Sequence, residues 1–492
     1  MNLYDLLGAI GVSIETVSQV NVTGLALDSR EVSEGTVFFA MEGTNCHGME
    51  YAQEAVERGA AAIVCDSWDG VIPFVVPVIT IKNLRQRLGT IVQYFFDSPC
   101  QNMQIIGVTG TNGKTTTIHL IDQLAKSLGI ATGKIGTLGV SVGVDKLYQF
   151  DRTTPDVITL THCLAKLCAR KVSLCAMEVS SHALDQHRVS GIPFDVAVLT
   201  NLTRDHLDYH VDMLTYGNVK RRLFTDYGAK IAVICSDDPF GARLAAELCE
   251  FDLWTFGFDR TARIRITTIE PIKIGCHVEL VFDGHQVAFQ LPLLGQFNVL
   301  NTISAMAAVY AVAPGNLERL ISAAHHLEPA AGRMEYFQNP QMPTVVVDYA
   351  HTPDALEQAL NTCRWHSKGL VWAVFGCGGD RDKGKRPLMG EIASRLADEV
   401  VLTLDNPRSE SPDAILNNIV DGMERAPRLI ELDRAEAVRY VIAKAAPEDW
   451  ILIAGKGHES TQLLEMRTIA HSDRAIVASA YGLSERGELH AS

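Results

Sequence analysis

The chain has 492 residues, of which 47% are hydrophobic and 21% charged, as in an ordinary folded protein. At roughly 150 residues per domain, this length predicts about three domains. Asp and Glu number 58 against 43 Lys and Arg, and the net charge of −15 argues against nucleic acid or an anionic membrane as partner. The 11 cysteines include no C-x-x-C pair, so they indicate a reducing compartment rather than disulfides or a zinc site.

The N-terminal residues lack a basic segment before an apolar core, and no apolar run approaches the roughly 18 residues of a membrane span. We therefore expect a cytoplasmic protein without membrane insertion. Residues 1 to about 100 mix short strands with amphipathic helices, and the last helix is predicted to end near Ser98-Pro99. A new strand begins at Met103, which predicts a first domain of residues 1–102.

An apolar strand, a Gly-rich loop and Lys-Thr at a helix start follow one another in IIGVTGTNGKTTTIHL, residues 105–120. Such a loop points several backbone N–H groups at one spot, and the helix dipole adds to them, so the segment is suited to binding phosphate. Lys114 would reach the β- and γ-phosphates, and the Thr115 hydroxyl would hold Mg²⁺. The G-x-x-x-x-G-K-[ST] pattern is not met in full, because Val108 stands five residues before Gly113. The order of the parts still predicts a nucleoside triphosphate site.

Polar residues crowd at two further strand ends of the same predicted parallel sheet. Glu178 closes one apolar strand, where we expect a Mg²⁺-binding carboxylate, and a solvated carboxylate is the alternative. After the next strand the segment TNLTRDHLDYH brings Asp205, His206, Asp208 and His210 close together. These side chains could serve a Mg²⁺ site, and a solvated helix cap is an equal alternative. A Ser/His hydrolase is excluded, because no G-x-S-x-G elbow surrounds the nearby serines.

In residues 262–295 apolar and polar residues alternate along the chain on both sides of Asp283-Gly284. This pattern predicts an appended hairpin. From about residue 337 the strand–helix rhythm restarts, and four strands are followed by the loops HTPD, GDRDKGKR, NPRSE and HES. Ligands in open α/β sheets bind beyond the carboxyl ends of the strands, so one pocket is predicted to gather these loops. For each loop alone, a turn with solvated charges is the alternative. Neither GCGG nor GKGHES fits a dinucleotide fingerprint.

Eight motifs together make the chain resemble the Mur ligases of peptidoglycan synthesis over essentially its whole length: GTNGKTTT, MEVSSH, TNLTRDHLDYH, GRMEYF, VVVDYAHTPDAL, GCGGDRDKGKRP, DNPR and AGKGHE. The fold expected is α/β with three domains, a central P-loop-type parallel sheet with appended antiparallel strands and a C-terminal Rossmann-like domain. The resemblance implies a UDP-sugar-binding domain (1–102), an ATP-binding domain (103–336) and an amino-acid-binding domain (337–492).

The resemblance also implies the reaction. ATP would phosphorylate the terminal carboxylate of UDP-N-acetylmuramoyl-L-alanyl-D-glutamate, and the amino group of meso-2,6-diaminopimelate would attack the acyl phosphate. Mg²⁺ is the implied cofactor, ATP is a substrate, and the protein is expected to act as a monomer. Alternatives are the same reaction with L-lysine, a relative of folylpolyglutamate synthetase lacking the UDP-sugar residues, and a non-catalytic nucleotide-binding relative. The presence of Lys114, Glu178 and Lys220 disfavours the last of these.

Roles for individual residues follow from the same resemblance. Lys114, Glu178 and His206 match catalytic phosphate and Mg²⁺ residues, and Lys220 matches the lysine that the family carries as a carbamate (N6-carboxylysine), a further metal ligand with Thr115. Residues matched to ATP are Gly110, Thr111, Asn112, Gly113, Lys114, Thr115, Thr116, Asn298, Arg333 and His351. Residues matched to the nucleotide-peptide are Leu27, Ser29, Thr44, Asn45, Cys46, Thr153, Thr154, Ser180, Gln186 and Arg188. Residues matched to diaminopimelate are Arg381, Asp405, Asn406, Pro407, Arg408, Gly455 and Glu459.

Arg408 is expected to distinguish diaminopimelate from L-lysine. Diaminopimelate differs from lysine by a carboxylate on its far carbon, and a guanidinium can hold a carboxylate through two parallel hydrogen bonds. Family members that use lysine lack this arginine. The alternative is that Arg408 pairs with nearby Glu410 and faces solvent.

Overall fold

The computed structural model describes residues 1–43, 46–70, 74–150, 152–465 and 467–483. Its internal contacts divide it into two compact units. The first contains Met1–Ala262 and Ser304–Leu317, and the second contains Arg263–Ile303 and the residues from Glu318 onward. No helix in the described ranges is long and apolar enough to cross a membrane.

A four-stranded parallel sheet of order β1-β2-β3-β4 forms the N-terminal part of the first unit. Its elements are α1 (Leu3–Gly8), β1 (Gly24–Ala26), β2 (Thr36–Ala40), α2 (Ala52–Glu57), β3 (Ala60–Cys65), β4 (Val78–Thr80) and α3 (Leu84–Phe95). The apolar runs that predicted strands form the buried strands β2 and β3. The segment GLALDSR has the residue pattern of a single strand, but β1 covers only its first three residues. The Asp28 side chain accepts from the Arg30 N–H and starts a 3-10 turn there.

The larger sheet of the first unit has the order β12-β11-β10-β5-β9-β6-β7-β8. Its strands from β12 to β6 are parallel, while β7 and β8 run antiparallel at the edge. The strands are β5 (Gln104–Thr109), β6 (Thr132–Gly136), β7 (Gly139–Val142), β8 (Asp145–Tyr148), β9 (Leu174–Glu178), β10 (Val196–Leu199), β11 (Ile231–Cys235) and β12 (Asp252–Gly257). The helices are α4 (Lys114–Ser127), α5 (Val157–Ala169), α6 (Ser181–Asp185), α7 (Leu207–His210), α8 (Met213–Thr225) and α9 (Pro239–Glu247).

The centre of this sheet determines where the polar strand ends meet. Strand β5 lies between β10 and β9, with Thr109 opposite Leu199 and Val108 opposite Glu178. All three strands are parallel, so their carboxyl ends share one edge of the sheet. The phosphate loop, Glu178 and the segment after β10 therefore lie side by side, as the sequence predicts.

Antiparallel strands open the second unit, where β14 pairs with both β13 and β15. The predicted hairpin at Asp283-Gly284 is confirmed, since both residues have positive φ (48° and 87°) between β14 and β15. A six-stranded sheet follows with the order β16-β17-β21-β18-β19-β20, parallel except for β16. The predicted α/β class is thus confirmed.

The strands from residue 263 onward are β13 (Ile264–Pro271), β14 (Cys276–Phe282), β15 (His285–Leu291), β16 (Glu335–Phe337), β17 (Thr344–Asp348), β18 (Val371–Phe375), β19 (Glu399–Leu402), β20 (Leu429–Ile430), β21 (Trp450–Ala454), β22 (Thr461–Leu464) and β23 (Arg467–Ala470). The helices are α10 (Gln296–Val312), α11 (Leu317–Ala324), α12 (Pro353–His366), α13 (Lys385–Leu396), α14 (Pro412–Val420), α15 (Arg434–Lys444) and α16 (Asp473–Tyr481).

Candidate active site

The predicted phosphate loop connects β5 to α4, and Gly113 is the residue before the first helical turn. Gly110 has φ of 147°, and an added Cβ would lie 1.9 Å from Thr200 Oγ1, so only glycine fits this position. The residues after β10 hold the loop from the other side. Thr200 Oγ1 donates to the Asn112 carbonyl (2.6 Å), and the Asn112 N–H donates to Asn201 Oδ1 (2.9 Å).

Two lysines meet at this loop. Lys114 Nζ donates to the carbonyl oxygens of Gly110 and Thr111, each over 2.8 Å. Lys220 Nζ, from α8, donates to the same Gly110 oxygen over 2.8 Å. Thr111, Thr115 and Thr116 are buried. The loop, its lysine and the first turn of α4 thus form one polar surface.

Lys220 is buried, with 1% of its surface exposed, although its sequence context is that of a surface helix residue. Its Nζ lies 4.5 Å from the centre of the Tyr216 ring, one helical turn before it. Burial lowers the pKa of the Lys220 amine well below its usual range, the charge of Lys114 lowers it further, and Asp205 opposes both. These surroundings favour the neutral amine of Lys220 over its cation.

Glu178 is also buried, with 1% of its surface exposed, so the alternative of a solvated carboxylate is wrong. Its Oε1 accepts from the backbone N–H of Thr137 (2.8 Å), and its Oε2 accepts from the Thr137 hydroxyl (3.2 Å). The carboxylate is therefore oriented by one residue just after β6.

His206 lies at the start of α7 with φ of 53°, in the left-handed region. Its Nε2 is 3.4 Å from Asp205 Oδ2, and its ring centre is 4.9 Å from that of His182. Burial lowers the pKa of His206, Asp205 raises it, and the charges of Lys114 and Lys220 lower it again. The net effect lowers the pKa of His206, which favours the neutral imidazole.

The other polar residues of this segment have different surroundings. His210 is buried and its Nε2 is bonded to Ser181 Oγ (2.9 Å), while Asp208 is exposed. The solvated-cap alternative thus fits Asp208 and also His206, whose side chain is 44% exposed at the start of α7, but not the buried His210.

The donor atoms at this edge of the sheet fit a Mg²⁺ ion bound together with nucleotide. Within the described ranges, no group of three or more His, Cys, Asp or Glu side chains could hold a metal. Mg²⁺ is usually bound through one or two carboxylates, with substrate phosphates and water completing the shell. Glu178 supplies one carboxylate, and Thr115 supplies a hydroxyl. Lys220 could contribute only after conversion to an anion.

The residues matched to the nucleotide-peptide in the central sheet form one hydrogen-bonded group around Glu178. Thr154 Oγ1 donates to the Glu178 carbonyl (2.8 Å) and accepts from the Ser180 N–H (3.2 Å). Arg188 donates to the Thr154 carbonyl (3.0 Å) and, through Nε, to Gln186 Oε1 (3.0 Å). The neighbouring Thr153 hydroxyl accepts from Thr137 (3.2 Å).

The other described residues matched to the nucleotide-peptide lie in the segments that follow strands of the N-terminal sheet. Ser29 Oγ donates to Glu54 Oε2 (2.7 Å), Cys46 Sγ is 3.5 Å from the Tyr51 hydroxyl, and Leu27 packs against the core. Thr44 and Asn45 lie outside the described residues.

The remaining residues matched to ATP belong to the second unit. The Arg333 guanidinium lies 4.4 Å from the centre of the Tyr349 ring, and His351 Nδ1 is 2.8 Å from the Tyr349 carbonyl. Arg333 and His351 are therefore brought together at the end of β17. Asn298 is on α10, and its amide donates to the carbonyl of Leu294 (2.8 Å), which lies two residues before the helix.

The four predicted loops of the C-terminal sheet do meet. The first two are joined by Lys385 Nζ, which donates to the His351 carbonyl (2.7 Å). The second and third are joined by the Gly379 N–H, which donates to the Asn406 carbonyl (2.9 Å). The third and fourth are joined by the Asn406 amide, which donates to Glu459 Oε2 (3.2 Å).

Buried polar groups line this meeting point. Lys456 Nζ donates to Asn406 Oδ1 (3.0 Å) and to Glu459 Oε2 (2.6 Å). Gly455 has φ of 112°, and an added Cβ would lie 2.6 Å from Asp405 Oδ2. Asp405 and Asn406 are buried beside Pro407, while Arg381 is exposed.

Arg408 does not pair with Glu410, so that alternative is wrong. Half-buried Arg408 donates through Nη1 to the Gly379 carbonyl (2.7 Å), and its φ of 51° is in the left-handed region. Glu410 instead receives two hydrogen bonds of 3.0 Å from Arg386, which is 0% exposed.

Sequence reasoning missed several residues that build the site. Tyr216 could have been found from its position four residues before Lys220, and its hydroxyl is 3.2 Å from Thr111 Oγ1. Arg386 stands inside the recognised motif GCGGDRDKGKRP. Thr137 carries no local signal, because it meets Glu178 only through strand pairing.

Comparison with known proteins defines the class. Three family profiles match in chain order: "Mur ligase family, catalytic domain" over residues 21–96, "Mur ligase middle domain" over 108–309 and "Mur ligase, glutamate ligase domain" over 332–457. The chain belongs to the Mur ligase family.

Similar relatives carry one printed name, UDP-N-acetylmuramoyl-L-alanyl-D-glutamate–2,6-diaminopimelate ligase. The relative from Alkalilimnicola ehrlichii is 42% identical over 480 residues, covering 94% of this chain and 95% of its own. The relative from Coxiella burnetii is 40% identical over 466 residues, covering 93% and 95%. A solved structure of a ligase with the same name is 34% identical, with a TM-score of 0.72 over 98% of this chain and 99% of that one. The MurF ligase from Thermotoga maritima in complex with ADP shares the fold, with 18% identity and a TM-score of 0.63 over 95% and 98%.

Proposed function

We propose that this protein is an ATP-dependent ligase that adds meso-2,6-diaminopimelate to UDP-N-acetylmuramoyl-L-alanyl-D-glutamate in cytoplasmic peptidoglycan precursor synthesis. The observation that carries the proposal is similarity over nearly the whole chain, at 40–42% identity, to ligases whose printed names state these two substrates. The contacts around the phosphate loop and around Arg408 support it.

The proposed reaction has two steps. A carboxylate oxygen of the dipeptide attacks the γ-phosphorus of ATP, ADP leaves, and an acyl phosphate forms. The amino nitrogen of diaminopimelate then attacks the acyl carbon, phosphate leaves, the nitrogen loses a proton, and an amide remains. Phosphoryl transfer requires positioning and charge stabilisation more than covalent chemistry from the protein. Lys114 and the N–H groups at the start of α4 would hold the phosphates.

Mg²⁺ would be held beside the phosphate loop by Thr115, Glu178, His206 and a carbamate on Lys220. When bound, Mg²⁺ supplies positive charge at the phosphate oxygens. The carbamate is supported by the position of Lys220, whose buried amine points at the loop beside Lys114. Adding CO₂ to the neutral amine, with loss of one proton, would place an anion next to Lys114, and the charge of Lys114 would attract that anion.

Each of the three predicted domains would bind one substrate. We infer domains of residues 1–102, 103–336 and 337–492, which would bind the UDP-sugar, ATP and the amino acid. The matched ranges 21–96, 108–309 and 332–457 support this order, although the last begins a few residues before the inferred boundary. The group around Thr154 and Arg188 would hold the dipeptide end, and Ser29 and Leu27 would contact the nucleotide end.

The two other candidates are less well supported. Folylpolyglutamate synthase from Mycobacterium tuberculosis resembles this fold at 19% identity but covers only 75% of the chain. A non-catalytic relative would not need Lys114, Glu178 and Lys220, and all three are present. Lys114 and Lys220 meet at the Gly110 carbonyl, and Glu178 ends the strand beside β5.

The test is release of ADP and phosphate with purified protein, ATP, Mg²⁺ and the UDP-muramoyl dipeptide. We expect release only when meso-diaminopimelate is added, with a tripeptide product detected by mass spectrometry. Stronger release with L-lysine would assign the lysine reaction instead. Absence of release with either amino acid, in protein that binds ATP, would support the non-catalytic alternative.

A further inference from the structure

Two acidic side chains flank Arg408, and each is bound by other donors. Asp380 accepts from the Ser409 N–H (3.1 Å) and the Ser409 hydroxyl (2.8 Å). Glu410, two residues after Arg408, accepts two hydrogen bonds of 3.0 Å from Arg386 and one of 2.6 Å from the Asp380 N–H. The guanidinium of Arg408 donates to backbone carbonyls instead.

We propose that Arg386 is a positioning residue for amino-acid selection. By holding Glu410, it keeps that carboxylate away from Arg408 and leaves the Arg408 guanidinium for the distal carboxylate of diaminopimelate. The inference rests on the proposed function, since it concerns how that amino acid is selected.

The surroundings of Arg386 suit this role. Its side chain is fully buried, and it also donates to Asn418 Oδ1 (3.1 Å) and the Gly378 carbonyl (3.3 Å), so its position is fixed from three sides. The bonds from Arg386 lower the pKa of Glu410 to about 2, so Glu410 is an anion at neutral pH. Lys383 also approaches Glu410 (3.4 Å), but its side chain is largely exposed.

Loss of Arg386 would release an anion next to Arg408. Opposite charges attract strongly where water is partly excluded, and the half-buried Arg408, two residues from Glu410 in the chain, would then be available as its partner. The substrate carboxylate would compete with Glu410 for the same donors. The enzyme would therefore bind diaminopimelate less tightly and would discriminate less against L-lysine.

A double-mutant cycle separates this role from a merely structural one. Arg386→Met should raise the KM for diaminopimelate and lower its preference over L-lysine by about tenfold or more, the scale of one charge-assisted contact. Arg386→Met/Glu410→Gln should restore most of the preference, because no released anion then competes for Arg408. A structural role predicts instead that the double variant is no better than the single one.

The measurements are kcat and KM for diaminopimelate and ATP, together with product ratios when both amino acids compete. The KM for ATP and thermal unfolding report whether each variant is folded. Arg386→Lys, which can hold Glu410 through one group only, should give an intermediate loss and serves if Arg386→Met does not fold. Asp122→Asn removes a buried ion-pair acid from the first unit and should reduce stability without changing the preference.

The outcomes distinguish the two proposals. If the unmodified enzyme does not use diaminopimelate, the proposed function fails. If it does, but Arg386→Met keeps the unmodified KM and preference, or the double variant recovers nothing, only the role of Arg386 is overturned.

Discussion

Lys114 and Lys220 donate hydrogen bonds to the same acceptor, the carbonyl oxygen of Gly110, each over 2.8 Å. Two charged ammonium groups at one carbonyl would repel, and Lys220 has almost no contact with water to screen it. The structure resolves the conflict through the pKa of Lys220, which burial and Lys114 lower far below its usual range. The neutral form of the Lys220 amine is therefore favoured beside Lys114.

Replacing Lys114 tests the nucleotide site. Lys114→Ala should lower kcat roughly 10²-fold or more, because the transition state loses one fixed cation while the fold loses no core side chain. ADP release and circular dichroism would measure the two effects. Lys166→Ala, at an exposed position on α5, is the control and should remain active. Near-normal turnover of a well-folded Lys114→Ala protein would exclude the assigned phosphate site.

Replacing Lys220 tests the carbamate. Lys220→Ala should be nearly inactive and should regain part of its activity with formate or acetate, which can occupy the vacated anion position. Lys220→Arg should not be active, because a guanidinium stays cationic and cannot add CO₂. Labelled CO₂ and ¹³C NMR would detect the carbamate directly in the unmodified protein. Full activity of Lys220→Ala, or no labelled carbamate, would contradict this role.

Ser29 tests the nucleotide end of the substrate. Ser29→Ala should raise the KM for the UDP-muramoyl dipeptide roughly two- to tenfold with little change in kcat, as expected for one remote hydrogen bond. Leu27→Ala should act in the same direction. Ser33→Ala is the control, since the Ser33 hydroxyl pairs with Thr36 in the same region. An unchanged KM in both Ser29→Ala and Leu27→Ala would mean that this sheet serves another purpose.

Local patterns were enough to predict most strands, the phosphate loop and the hairpin at Asp283-Gly284, because period and turn chemistry are properties of short segments. They also predicted that four C-terminal loops meet, since the ends of parallel strands share one edge. The segment KIGTLGV, which its apolar residues predict to be one strand of the central sheet, was an exception, as was GLALDSR. KIGTLGV forms β6 and β7 in sequence, with a turn between them, where one strand was expected.

What could not be predicted depends on contacts far apart in the chain. Lys220 looks exposed on α8, but the carbonyl that its amine binds lies 110 residues earlier. Glu410 stands two residues from Arg408, so pairing between them was an alternative that the sequence left open, but Arg386 on α13 already holds Glu410. Sequence spacing shows which charges are near along the chain, whereas the packing of helices on the sheet decides which partners they have.

The buried pair of Arg434 and Asp473 gives a prediction about pH. Asp473 is fully buried, and Arg434 Nη2 and His471 Nε2 each lie 2.8 Å from its carboxylate. Burial alone would raise the pKa of Asp473, but Arg434 and His471 hold it far below its usual range. Because the folded pKa is below the unfolded value of about 3.9, the pair stabilises the protein above that pH and loses its effect as pH falls further.

Asp473→Asn should therefore cost about 3–5 kcal/mol of unfolding free energy at pH 7, since a buried cation loses its partner. The deficit should shrink as pH falls below about 4, where the unmodified protein also begins to lose the pair. Urea unfolding of both proteins at pH 7, 5 and 3 measures this loss of unfolding free energy. Asp28→Asn, in an exposed pair with Arg30, should cost at most about 1 kcal/mol. A deficit independent of pH would show that the charge of Asp473 is not what stabilises the fold.

The choice of amino acid is the sharpest test of Arg408. Diaminopimelate carries both a carboxylate and an ammonium at its distal end, and lysine carries only the ammonium. The half-buried guanidinium of Arg408 could bind the carboxylate through two parallel hydrogen bonds, while Glu459 on the neighbouring loop could take the ammonium. With lysine bound, Arg408 would be desolvated without an anion, which costs about 3–5 kcal/mol.

That cost corresponds to a preference for diaminopimelate of roughly two to four orders of magnitude, at about 1.4 kcal/mol per tenfold. Competing the two amino acids in one assay measures the preference directly. Arg408→Ala should remove most of it by raising the KM for diaminopimelate, because the variant no longer distinguishes a distal carboxylate from a hydrogen. Arg439→Ala, in an exposed pair with Glu436 on α15, is the matched arginine control and should keep the full preference. Equal use of L-lysine by the unmodified enzyme would show that the distal carboxylate is not selected for. An Arg408→Ala enzyme that prefers diaminopimelate as strongly as before would show that another group binds this carboxylate.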